Sequence, residues 1–208
     1  MRYSLVIDCR ALAYIGETLN TDKAHQTAQE QGNTKGRQVQ KKHTMTQLTN
    51  EQKAYIAGFL DGDGCLNAQI VPRQNYKLHY QIRVTLTFFQ KTKRHWILLQ
   101  LYKLIKLGTI RKRNDGMSEY VIVGKTSVKK CVQILYPYLR VKKLHARRVL
   151  QIISHLKRDQ DPQAFLKLCE VVDTFQDLND SKKRTLTSQV VRSHFLQCHL
   201  LPVPVETI

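Results

Sequence analysis

The chain has 208 residues, 42% of them hydrophobic, with nine glycines and five prolines; this suits one folded domain with a real core plus tails, and excludes a chain too polar to fold. Thirty-four Lys and Arg against sixteen Asp and Glu leave a net charge of +18 and a pI near 9.9, which favours polyanionic partners. No stretch approaches the ~18 uninterrupted apolar residues of a membrane span, and the basic residues are spread over several segments rather than one amphipathic helix, so nucleic acid is favoured over a membrane.

Residues 1–44 contain the polar run NTDKAHQTAQEQGNTKGRQVQKKH, almost without apolar residues or periodicity, which reads as a disordered or non-native extension. Asp8 and Glu17 and the lack of a small-residue cleavage site make it a poor targeting peptide. Its seven basic and four acidic residues account for +3 of the +18, so residues 45–208 carry +15 and the basic character belongs to the domain. Met45 stands just ahead of the first structured signal, where an internal start would fall. The expected division is an extension over 1–44, a domain over 45–199 and a tail over 200–208.

Thr49 followed by Gln52 fits a capping box that opens a helix running through AYIAGFL to Asp61 and Asp63. In CLNAQIV (65–71), Leu66, Ala68 and Ile70 alternate with Asn67, Gln69 and Val71. After the turn-like PRQNYK, YQIRVTLTF (80–88) sets Ile82, Val84, Leu86 and Phe88 against Gln81, Arg83, Thr85 and Thr87. Period two with one apolar face marks half-buried antiparallel strands. A helix is predicted over 92–107, with Gly108 as its C′ residue. TIRKR and EYVIV flank NDG as a second hairpin. Further helices are predicted at about 126–136, 143–157, 162–178 and 187–199; Phe165, Leu168, Val172 and Phe175 share one face. The result is an α+β chain with a single helix–strand–strand–helix–strand–strand–helix unit and C-terminal helices.

The non-core parity of these strands presents Gln69, Val71, Arg73, Gln81, Arg83, Thr85, Thr87, Arg111, Arg113, Glu119 and Val121. Arg, Gln, Glu and Thr or Val are the side chains that read guanine, adenine, cytosine and the thymine methyl in the major groove. A solvated face mixes signs more evenly than four Arg, one Glu and no Lys. A strand of about eight residues spans roughly 26 Å, or about eight base pairs, and a two-fold dimer would cover a long, partly palindromic site.

YIAGFLDGDG (55–64) has two apparent faults as a helix. Glycine in a helix interior costs about 1 kcal/mol relative to alanine, and carboxylates oppose the dipole at a C-terminus. Taken alone, DGDG is a turn, although its carboxylates suit Mg²⁺. Five cysteines (Cys9, Cys65, Cys131, Cys169, Cys198) without a CxxC pair fit a reducing compartment. His194, Cys198 and His199 supply too few ligands for structural zinc.

Residues 56–64, IAGFLDGDG, resemble the signature of the LAGLIDADG homing endonucleases. The PRQNY turn (72–76), QKTKRHW (90–96), the basic hairpin, PYLRVKKLHA (137–146) and LNDSKKRTLTSQVVR (178–192) are similar to the single-motif branch typical of chloroplast and other organelle introns. The resemblance implies an αββαββα core whose four-stranded antiparallel, saddle-shaped sheet binds DNA. It implies a homodimer in which the motif helices meet through Ala57, Gly58, Asp61 and Gly62. It assigns Asp63 and the Gly62 carbonyl to divalent cations, Mg²⁺ with Mn²⁺ or Ca²⁺ able to replace it for binding, and places Gln90, Arg94 and Lys142 around the reacting water and phosphate. From the residues alone, Lys142 is not separable from Arg140 or Lys143; of the two aspartates Asp63 is the one assigned to catalysis, and Asp61 is left without a firm role. Asn75 and Tyr76 join the outward strand residues as DNA contacts, while Lys182, Lys183 and Arg184 are phosphate contacts. The implied function is site-specific double-strand cleavage that promotes mobility of the host intron; the alternative is an intron RNA maturase or a non-cleaving DNA-binding protein. The presence of Asp63, Gln90 and Lys142 favours cleavage.

Overall fold

Helix α1 (Asn50–Asp63) begins as its sequence dictates. Thr49 is extended and accepts the Gln52 N–H, while the Gln52 side chain accepts the Thr49 N–H, a reciprocal cap for two otherwise orphaned donors. The helix buries Ile56, Ala57 and Leu60 and leads into strand β1 (Gly64–Pro72) without a loop. At Gly64 a Cβ would lie 2.7 Å from the Leu60 carbonyl oxygen, so only glycine permits this direct exit. The structure, a computed structural model, describes residues 47–179 and 185–202. The 1–44 extension, Met45, residues 203–208 of the tail, and Lys182, Lys183 and Arg184 lie outside them.

Strand β2 (Tyr80–Lys91) pairs antiparallel with β1 from Gly64↔Phe88 to Pro72↔Tyr80. Strands β3 (Thr109–Lys112) and β4 (Met117–Val123) form the second hairpin, and β4 pairs antiparallel with β2, giving the order β1-β2-β4-β3. Helices α1, α2 (His95–Ile105), α3 (Lys125–Leu135) and α4 (Lys143–His155) pack on the sheet; α5 (Pro162–Asp173), α6 (Phe175–Leu178) and α7 (Ser188–Gln197) follow, with α5 against β1, α4 and α7. The sheet's apolar parity, Leu66, Ala68, Ile70, Ile82, Val84, Leu86 and Phe88, is buried as the alternation predicts. Phe88 stacks on Tyr120 with centroids 5.7 Å apart; full burial of a side chain of this size stabilises by about 1.5–3 kcal/mol. No described helix is long and apolar enough to cross a membrane.

Two boundaries differ from expectation. The segment over 92–107 is a 3-10 turn (Thr92–Arg94) followed by α2, which stops at Lys106 in the left-handed region, φ 56°. Gly108 is therefore not the C′ residue. It sits at φ 84°, where a Cβ would collide with the Val121 carbonyl, so the glycine serves the entry to β3. The helix over 162–178 breaks at Thr174, whose hydroxyl donates to the Val171 carbonyl at 2.7 Å, a side-chain bond that competes with helix continuation. Phe165, Leu168, Val172 and Phe175 are all buried nonetheless.

Candidate active site and nucleic-acid interface

The β1–β2 pairing ends at Gly64↔Phe88, so the last residue of α1 lies beside the last residues of β2. Asp63, exposed, receives Gln90 Nε2 on Oδ2 at 3.0 Å. Gln90 is buried, and its Oε1 accepts Arg94 Nε at 2.7 Å and the Lys91 N–H at 3.1 Å. The 3-10 turn after β2 brings Arg94 back over the strand end. A side-chain chain Asp63–Gln90–Arg94 thus spans residues far apart in sequence, and it fixes the glutamine's orientation as well as one carboxylate oxygen. The other, Oδ1, accepts no hydrogen bond among the described residues. A carboxylate with one free oxygen fits a hard cation, and Mg²⁺ takes one or two carboxylates plus waters and phosphate.

The second arm runs from Asp61. Its carboxylate accepts the backbone N–H groups of Arg140 (2.7 Å), Val141 (3.2 Å) and Lys142 (2.8 Å), and its carbonyl accepts Lys142 Nζ at 2.6 Å. Lys142, rather than Arg140 or Lys143, therefore has its ammonium on the exit of α1. Asp61 turns inward to the chain's own α4 lead-in rather than outward to a partner helix.

Ala57 is fully buried in the core and is withdrawn from the expected helix–helix seam. One residue is 100° of helix, which moves the small-residue stripe to Ala54, Gly58 and Gly62, spaced by four. All three are exposed, and a Cβ at Gly58 or Gly62 would meet nothing within 4 Å.

On the outer sheet face, Gln69, Val71, Arg73, Gln81, Arg83, Arg111, Arg113 and Val121 are partly exposed, and Asn75 and Tyr76 in the β1–β2 turn are exposed. Much of this face is paired across strands: Arg73 Nε donates to Gln81 Oε1 at 3.2 Å and an Arg83 terminal nitrogen to Gln69 Oε1 at 3.3 Å. Burial and the nearby Arg73 lower the Arg83 pKa. Three expected contacts are not accessible as base readers in this chain: Thr85 is 8% exposed, and Thr87 and Glu119 are 0% exposed. Thr87 lies opposite both Cys65 and Val121 at the sheet centre. Glu119 lies opposite Arg111, bonds its Nε and stands 3.6 Å from an Arg113 terminal nitrogen. The acid is buried against Arg111, while Arg113 lies closer to Asp115, 2.7 Å away, and burial keeps Glu119 from reaching a cytosine.

Among the described residues no group of three or more His, Cys, Asp or Glu could hold a metal. The His194 Nε2–Cys198 Sγ contact of 3.7 Å is accompanied by edge-on packing of the His194 ring against His79 and Tyr80. Burial pushes the Cys131 thiol up to about 12, leaving it protonated at neutral pH.

A family model described as LAGLIDADG endonuclease matches residues 56–158. DNA endonuclease I-CvuI of Chlorella vulgaris is 50% identical over 139 residues, 67% of this chain and 86% of its own length. DNA endonuclease I-CreI of Chlamydomonas reinhardtii is 39% identical over 149 residues, 71% of this chain and 91% of its own. The crystal structure of the homing endonuclease I-CvuI in complex with its target in the presence of Ca superposes with a TM-score of 0.69 at 46% identity, covering 72% of this chain and 95% of that one. At 18% identity, the group I intron-encoded homing endonuclease I-CeuI complexed with DNA shares the fold, with a TM-score of 0.58. The signature helix, the four-stranded sheet it feeds and these similarities lead to one conclusion: the chain belongs to the LAGLIDADG endonuclease family.

Proposed function

We propose that this chain is a site-specific double-strand DNA endonuclease that acts as a homodimer with divalent metal ions, Mg²⁺ foremost, and promotes mobility of a host intron in an organelle, the chloroplast by kinship with algal relatives. The observation that carries this reading is the convergence of Asp63, Gln90, Arg94 and Lys142 on the exit of α1. Asp63 and the Gly62 carbonyl are the groups that would hold the metal, which when bound activates water and stabilises the attacking and leaving oxygens of an in-line displacement. Gln90 holds one Asp63 oxygen, so the carboxylate presents the other. Arg94 fixes the Gln90 amide and adds positive charge at the reacting phosphate. The Lys142 ammonium offsets charge that develops there, in the preorganised manner that gives electrostatic stabilisation its weight.

A single chain supplies one such acid, and cutting two strands needs two. The stripe Ala54, Gly58, Gly62 supports a close approach of two α1 helices, since small residues let helix backbones meet. The arginine-rich sheet face supports contact with the duplex.

The test is incubation of the purified protein with Mg²⁺ and a DNA library spanning intron insertion sites, beside Asp63→Asn. Double-strand cuts by the wild type and none by the variant are expected. Binding without cutting by the wild type would return the alternative of a non-cleaving binder, and no activity on any target sinks the endonuclease reading. Sedimentation of the protein–DNA complex as one chain per site would remove the dimer. Removal of residues 1–44 is expected to leave cleavage intact.

A further inference from the structure

Asp61 lies two residues before the proposed metal acid, at a helix end where a carboxylate is electrostatically misplaced. The start of α4 has the converse fault. It opens with Lys142 and Lys143, has no side-chain cap of its own and no acid in its first turn, although a helix N-terminus favours negative charge. Helix α1 in turn ends without a basic residue in its last turn. Each helix end carries the charge that the other lacks, and the two meet. The Asp61 carboxylate accepts three successive backbone N–H groups, and Lys142 Nζ returns to the Asp61 carbonyl, one of the last-turn acceptors left without a helical partner.

We propose that Asp61 is a positioning residue for Lys142, acting in the endonuclease reaction proposed above, on which this inference rests. The attachment is reciprocal between one pair of residues. The backbone N–H of Lys142 is bonded to the Asp61 side chain, and the tip of the Lys142 side chain is bonded to the Asp61 backbone. Both ends of a flexible four-carbon stem are thereby fixed beside Asp63. Packing does not do this. Arg140, Val141, Lys143 and Leu144 are exposed, Val141 at 72%, and Lys142 is half-buried. The core anchors this stretch only at its ends, through Leu139 and Ala146; between them its geometry is set by its hydrogen bonds. Substituting Asn keeps the shape of Asp61 but sets an amide N–H₂ against a backbone N–H and removes the charge.

The experiment is single-turnover cleavage in Mg²⁺ and DNA affinity in Ca²⁺ for the full chain, Asp61→Asn, Lys142→Met and the double variant. Because misplacement of a group by about 1 Å costs about 100-fold in rate, Asp61→Asn is expected to slow cleavage about 100-fold with little change in affinity. In the Lys142→Met background the same substitution is expected to add less than about 3-fold, since residues acting through one another are not additive. Equal losses in both backgrounds, or affinity lost in step with rate, overturn the proposal in favour of a purely structural cap. Reactivity of Lys142 towards an amine-labelling reagent, read by mass spectrometry against Lys129, gives a result independent of cleavage. A several-fold rise in Asp61→Asn supports the proposal and an unchanged ratio overturns it. Should the wild type cut no DNA, the endonuclease reading fails while labelling still judges the Asp61–Lys142 link. If Asp61→Asn does not fold, Asp61→Glu, which keeps the charge but shifts the carboxylate by one methylene, carries the same comparisons.

Discussion

Gly58→Ala separates the behaviour of one chain from that of two. Gly58 lies inside α1, exposed, with open space where a Cβ would stand. For an isolated chain the substitution removes the conformational cost of a helical glycine, a gain of about 0.5–1 kcal/mol. In a domain of this size that gain corresponds to a rise of about 1–4 °C in Tm. For a dimer joined along α1 the sign reverses. Each added methyl enters a close-packed seam at about 1–3 kcal/mol, and two-fold symmetry inserts two. A total of about 2 kcal/mol or more weakens dimerisation by at least about 30-fold. Sedimentation velocity over a dilution series gives the dimer Kd, and thermal unfolding at two protein concentrations gives the chain's own stability. The expected result is a weaker dimer, with unfolding that becomes less concentration-dependent. An unchanged Kd together with a higher Tm would refute the packing of α1 on α1 at Gly58, and with it the explanation for glycine at that position.

Gln90→Ala cuts both the Asp63 and the Arg94 bonds; cleavage is expected to fall about 100-fold, the scale set by lost positioning, while affinity measured in Ca²⁺ holds. Glu119→Ala removes the carboxylate that Arg111 bonds, leaves Arg113 with Asp115 alone, and opens a hole at a fully buried position. Urea unfolding is expected to show a loss of about 3 kcal/mol, the low end for a broken buried pair because both guanidinium groups retain solvent; a loss near zero would mean that the arginines need no such anchor. Burial holds the His145 imidazole below its ordinary range, outweighing its bond to Asn179, and the Lys142 charge pushes the same way. The unfolded chain therefore takes up this proton first as pH falls. Stability from this site is complete above about 6.5 and declines below it by at most about 1.4 kcal/mol per pH unit. Urea midpoints at pH 7.5 and 5.5 test this, and His145→Asn is expected to flatten the difference.

The strands were legible because their chemistry is local. Leu66, Ala68, Ile70 and Ile82, Val84, Leu86, Phe88 announce a face by alternation, and pleating puts that face inward whatever lies beyond it. The capping box at Thr49 was legible for the same reason. The end of α2 was not, because Lys106 adopts a left-handed backbone that no preference of lysine foretells, whereas the glycine two residues later invited the wrong boundary. The outer face was half legible. Parity placed Thr87 and Glu119 there correctly, but alternation does not reveal what neighbouring strands lay over them, and the β3–β4 register gives Glu119 to Arg111 rather than to solvent.

The sequence alone determined which strand faces turn inward, that the domain is strongly basic, and, through IAGFLDGDG, the family to which the chain belongs. Only the tertiary structure decided which of Arg140, Lys142 and Lys143 stands at that exit, that Ala57 belongs to the core while Ala54 continues the small-residue stripe, and that Asp61 binds the backbone leading into another helix. The reason is physical. A periodic pattern specifies a face relative to its own element, whereas the partner of a polar side chain is fixed by which distant backbone the folded chain brings within 3 Å. Asp61 and Lys142 are 81 positions apart, and nothing local to either one names the other.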